Sequence, residues 1–116
     1  MTGLNLCALQ EKNMVYKLIV SKEAHLDIDG IVNYIAVKLS NVSAAICFLD
    51  DVEKSYKNIV ENPFMYNFCN DVKLKNQSYR KIPIKNYLIL YLVDEKLQII
   101  TVMRVFYGAR NYPELI

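Results

Sequence analysis

Arginine is the residue type in this chain best suited to chemistry, and all three arginines lie in its last third: Arg80, Arg104 and Arg110. A guanidinium grips a carboxylate or phosphate through two parallel hydrogen bonds and stabilises developing negative charge, but it does not release its own proton. Cleaving a phosphodiester would also need a group that moves protons, usually a histidine or a carboxylate. The sole histidine, His25, falls on a predicted helix far from the arginines in sequence. No P-loop, GxGxxG, HExxH or GxSxG pattern is present. The three cysteines, Cys7, Cys47 and Cys69, match no zinc spacing and read as reduced thiols of a cytoplasmic protein. No catalytic residue, metal site or cofactor is assigned.

What remains is a contact surface. Its candidates are Arg110, Arg104, Arg80, Lys81, Lys85 and Tyr107. Each has a plainer reading. Arg104, late in a predicted strand, would pair with a carboxylate and lay its stem along a sheet. Arg110 follows Gly108 in a turn and is the more exposed candidate; its plainer role is a surface ion pair. Gly108 itself would either take a positive φ or allow close packing. Arg80, Lys81 and Lys85, joined by Lys73 and Lys75, would form a basic patch or simply a solvated face. Tyr87 and Tyr91 share a strand face and read as core.

The elements that must position these residues follow from periodicity. Tyr79 to Arg110 splits at Lys85-Asn86 and Asp94-Glu95-Lys96 into three apolar runs, which predicts a three-stranded antiparallel meander. Its first run, with Pro83, suits an edge, and Tyr87 to Val93 suits a centre covered on both faces. Val15 to Val20 predicts a further strand. Ser21 then offers a helix cap. Ala24, Ile28, Ile31, Val32, Ile35 and Leu39 make one apolar stripe, with Gly30 inside it permitting close approach of another backbone. Ser40-Asn41 starts a second helix whose predicted stripe is Val42, Ala45, Ile46, Leu49, Val52, Tyr56, Ile59 and Val60; Cys47 is placed on its buried side. Asn62-Pro63 ends it. Phe64 to Ser78 reads as irregular, its aromatic half plugging the core and its later half solvated. The class is therefore α+β, in the order β-α-α-β-β-β. An antiparallel sheet of about four strands carries an N-terminal αα-hairpin on one face, with the first strand beside the last.

The chain has 116 residues, 53% of them hydrophobic, enough for one core without staples. A net charge of +2 does not by itself announce a nucleic-acid partner. No apolar run approaches the roughly 20 residues needed to span a bilayer. Residues 1–13 read as an N-terminal extension with Met14 as the natural start, and 14–116 as a single domain.

From Tyr16 to Ile116 the chain resembles the ParE branch of the RelE/ParE superfamily of type II toxin–antitoxin toxins, the plasmid-stabilisation toxins. The resemblance rests on Ala24, Leu26, Ile31, Tyr34 and Ile35 in the first helix and on Asn62-Pro63. It rests above all on Tyr79-Arg80, Pro83, Tyr87-Leu88-Ile89, Tyr91, Arg104-Val105 and Gly108-Ala109-Arg110. The family often has His before the glycine and Asp after the last arginine; this chain has Tyr107 and Asn111. The resemblance implies a bacterial, cytoplasmic toxin that binds DNA gyrase and is neutralised by a cognate antitoxin, in complexes such as a toxin–antitoxin heterotetramer. The alternative is a RelE-like ribosome-dependent mRNA endonuclease. RelE-like toxins place an arginine on the middle meander strand, where this chain has Leu88. A further alternative is a non-toxic, partner-binding relative.

Overall fold

The computed structural model describes residues 16–108, so residues 1–13, Met14 and Arg110 lie outside the described residues. Strand β1 (Lys17–Val20) leads into helix α1 (Lys22–Asn33), which closes in a π-helical turn at Tyr34–Lys38. Helix α2 (Val42–Glu61) and a short helix α3 (Val72–Asn76) precede β2 (Arg80–Ile84), β3 (Tyr87–Asp94) and β4 (Ile99–Tyr107). The four strands form one sheet in the order β1-β4-β3-β2.

The caps sit where the sequence places them. Ser21 Oγ accepts from Ala24 N at 3.0 Å, and Asn41 Oδ1 accepts from Ala44 N at 3.0 Å. Each satisfies a backbone donor that the first helical turn leaves without a partner. Ser40 reverses the chain between the helices with a φ of 50°.

β2, β3 and β4 form the expected antiparallel meander, and β1 lies beside β4. The direction of that last pair departs from the expected all-antiparallel sheet: β1 and β4 run parallel. The cause is the brevity of β1. Its four residues reach only from Ile99 to Val102 of β4. α1 then carries the chain onward over the rest of β4, so that Asp27 meets Arg104 and Val105. α2 brings it back, from Phe48 beside Tyr87 to Phe64 beside Tyr16. The chain thus re-enters the sheet at the end where β1 began, and β2 must run the same way as β1.

The main core lies between the helices and one sheet face. Ile82, Ile84, Ile89, Tyr91, Ile100, Val102 and Val105 pack there against Ala24, Ile35, Phe48, Val52 and Ile59. The stripe of α2 is turned from its predicted position. Its buried residues are Ala45, Phe48, Val52, Ser55 and Ile59, at alternating spacings of three and four. Val42, Ile46 and Leu49 are exposed, and Cys47, expected inside, is exposed too. At the end of α1, Leu39 is likewise exposed. The connection before β2 is more ordered than predicted. Asp71 caps α3 through Leu74 N, and Leu74 is fully buried with Cys69, Tyr79, Leu90 and Phe106 on the opposite sheet face.

Two tyrosines in the main core are treated oppositely. Tyr91 is fully buried and its hydroxyl donates to Pro63 O at 2.8 Å. The Tyr56 hydroxyl is buried and finds no partner among the described residues. Burial pushes both up to about 12. Tyr91→Phe takes a donor from the Pro63 carbonyl and is expected to cost about 1–2 kcal/mol, whereas Tyr56→Phe removes a hydroxyl with no partner among the described residues and is expected to cost nothing or to stabilise. Urea unfolding of the two variants checks the contrast. Equal losses would mean that the two hydroxyls do not differ in bonding as described.

Candidate partner-binding site

The site forms where α1 passes the last residues of β4. Ile100 and Val102 face the helices, but the register against β3 shifts at Leu90/Tyr91, so Met103 is an extra residue. Beyond this bulge Val105 faces the helices again, and Arg104 turns toward the edge. Its Nε donates to Asp27 Oδ2 at 2.7 Å and Nη2 to Oδ1 at 3.1 Å. The guanidinium also lies 4.6 Å from the centre of the Phe106 ring. Donating to Asp27 raises the pKa of Arg104 above its ordinary value, against a smaller opposing effect of burial. Arg104 is thus occupied by a carboxylate of its own chain, which is its plainer reading.

Beside this pair lies a groove of about 880 Å³. Leu26 and Gly30 of α1 and Tyr34 of the π-helical turn line it together with Tyr87 and Tyr107 of the sheet. The Tyr87 and Tyr107 rings meet edge to face at 5.7 Å, and Phe48 backs Tyr87 at 5.1 Å. Burial raises the Tyr87 pKa, with Tyr107 and Tyr34 adding to the effect. Gly30 was expected to admit a neighbouring backbone, yet a Cβ built there meets nothing within 4 Å. The close approach occurs at Gly108 instead. Its N donates to Asn86 O at 2.6 Å, and a Cβ would come within 3.2 Å of that same oxygen. No described glycine has a positive φ, so close packing is what this position demands.

The predicted candidates do not gather into one patch. Tyr107 and Lys85 share one end of the sheet, whereas Arg104 stands level with Lys81, across Leu90 of the strand between them; Lys85 reaches Asp51 only at 3.9 Å and is largely exposed. Arg80 and Lys81 lie at the opposite end of β2, about 13 Å away along a strand. Arg80 is held there structurally. Its Nη1 donates to Tyr66 O at 2.6 Å, and its guanidinium lies 4.0 Å from the Phe68 ring centre and 5.1 Å from that of Phe64. Lys81 stands near buried Cys69, whose thiol is raised by burial and lowered less by Lys81. Lys73 and Lys75 ride on α3.

The sequence reading places both helix stripes in the core first, with any exposed excess marking an antitoxin surface, and does not say which residues form it. Tyr34, Val37, Leu39, Val42, Ile46 and Leu49 are all exposed, around the junction of α1 and α2 and along the outer side of α2. The signal was present, because α2 carries two apolar stripes and a helix on one sheet face can bury only one. Among the described residues no cluster of His, Cys, Asp or Glu is arranged to hold a metal, and no helix is long and apolar enough to cross a membrane. His25 is exposed on α1.

Residues 18–112 match the ParE toxin of the type II toxin–antitoxin system parDE. Among solved structures, the chain is similar to one from the chromosomal ParDE toxin–antitoxin system of P. aeruginosa. The identity is 15%, with 82% of this chain and 97% of that chain covered and a TM-score of 0.63. The intact E. coli RelBE toxin–antitoxin complex gives 14% identity over 82% of this chain and 99% of that one, with a TM-score of 0.52. The isolated E. coli RelE toxin gives 16%, 86% and 94%, with a TM-score of 0.53. At these identities the likeness is one of fold. No curated protein sequence matches the chain.

Proposed function

The chain belongs to the ParE toxin family of type II toxin–antitoxin systems, and from that premise we propose that it arrests bacterial growth by binding DNA gyrase and is held inactive by a cognate antitoxin. The observation that carries a binding function is the exposed apolar surface of the helical hairpin, Tyr34, Val37, Leu39, Val42, Ile46 and Leu49. Large apolar side chains gathered on one helical hairpin and left in water are unfavourable and mark a partner interface. The antitoxin is the partner assigned to it, in the cytoplasm, within a complex such as a heterotetramer. The resemblance of the C-terminal block to the ParE branch supports gyrase as the target. Leu88 supports it over ribosome-dependent mRNA cleavage, since it stands where RelE-like toxins have an arginine. It pairs with Phe106 in an apolar stretch of sheet.

Expression of the chain without an antitoxin tests this reading. Growth arrest with long filaments, the form taken by cells with damaged DNA, is the expected result. Arrest at normal cell length would overturn the gyrase target and point to blocked translation. Unimpeded growth with soluble protein present would overturn the toxin reading as a whole and leave a partner-binding relative.

A further inference from the structure

Among the described residues, the second half of β4 has β3 along one side and no strand along the other. β1 pairs with β4 only as far as Val102, whereas β4 continues to Tyr107. Outward-facing backbone groups on such an edge are a template for another strand, and long open edges drive chains to pair with one another. Here the groups meet one backbone and two side-chain atoms of the segment that follows β1. Ser21 N donates to Val102 O at 2.9 Å, and Ser21 Oγ donates to Met103 O at 2.8 Å. Nearly two turns further on, Asp27 Oδ2 accepts from Val105 N at 2.9 Å. That carboxylate oxygen stands where the carbonyl of a longer β1 would stand. Arg104, from the very strand being capped, holds both carboxylate oxygens. The two side chains are only 18% and 26% exposed, so water competes poorly for these bonds.

We propose that Asp27 is an edge guard: at Val105 it closes the side of β4 away from β3 against strand addition by a second copy of this chain, with Arg104 as the residue that positions it. The role differs from that of an ion pair. A guard needs an acceptor oxygen at Val105 N, charged or not; an ion pair needs the charge.

Asp27→Asn keeps an acceptor and discards the charge, whereas Asp27→Ala discards both. The full chain is purified in each form, its fold checked by circular dichroism, its Val105 amide exchange followed by NMR and its association by sedimentation over a hundredfold concentration range. Wild type and Asp27→Asn are expected to protect the Val105 amide and to share one oligomeric state. Asp27→Ala is expected to speed Val105 exchange by about tenfold or more and to associate increasingly with concentration. If Asp27→Ala does not fold, Asp27→Glu replaces it, since the longer side chain keeps the charge for Arg104 while displacing the oxygen from Val105 N. It too is expected to associate. The proposal is overturned if folded Asp27→Ala, or Asp27→Glu in its place, sediments like wild type, or if Asp27→Asn associates as they do.

Discussion

Phe48→Ala is expected to lower the free energy of unfolding by about 3–4 kcal/mol, while Ile46→Ala, two residues away on the same helix, changes it by less than about 0.5 kcal/mol. Phe48 is 2% exposed and Ile46 54%. Removing the Phe48 ring forfeits its transfer free energy and opens a cavity that the neighbours cannot collapse, because Ile59, Val52 and the sheet hold them in place. It also ends the edge-to-face contact with Tyr87 at 5.1 Å, and so loosens one wall of the groove. At position 46 the side chain is largely in water already, and alanine is the better helix former. Urea titration of both variants settles the matter, with equal slopes confirming that the unfolded states are comparable. A larger loss from Ile46→Ala would mean that α2 is turned the other way.

The same pair shows what the sequence could and could not decide. Val42, Ile46 and Leu49 recur at helical spacing as well as Ala45, Phe48, Val52 and Ile59 do. Periodicity identifies the helix but does not choose between two apolar stripes. The choice is tertiary: Phe48 fills the space under Tyr87, and the price is burial of Ser55. The meander was legible because turn residues and alternating runs are local signals, and Ser21 and Asn41 were legible as caps for the same reason. The parallel direction of β1 was not, since it depends on how far a four-residue strand reaches along a nine-residue one. For the site, Arg104 was legible as a residue but its partner was not. Asp27 lies 77 positions away in sequence, and nothing local sets it apart from the chain's other carboxylates. Arg80 was misleading: next to Lys81 it reads as a basic surface, yet Phe64 and Phe68 claim its guanidinium.

Arg104→Met is expected to cost about 2–3 kcal/mol of stability, far more than Lys85→Met, which is expected to fall within about 0.5 kcal/mol of zero. Both substitutions delete one partner of an ion pair and keep the aliphatic stem. The difference lies in geometry and solvation. Lys85 and Asp51 stand 3.9 Å apart with side chains 62% and 36% exposed, so water and salt already screen them. Arg104 grips Asp27 with two hydrogen bonds in a pocket largely closed to water. Once Arg104 is gone, the Asp27 carboxylate stays largely enclosed, with Val105 N as its remaining partner among the described residues outside its own helix, and that stranded charge is most of the cost. Loss of the stacking over Phe106 adds a smaller share, about 0.5–1 kcal/mol. Two further variants separate these contributions. Arg104→Lys keeps the charge but cannot span both carboxylate oxygens, so it should fall between wild type and Arg104→Met. Adding Asp27→Asn to Arg104→Met removes the stranded charge and should recover part of the loss, giving a coupling of about 1 kcal/mol or more in the double-mutant cycle. Strict additivity of the two substitutions would show that the pair contributes nothing beyond its separate members.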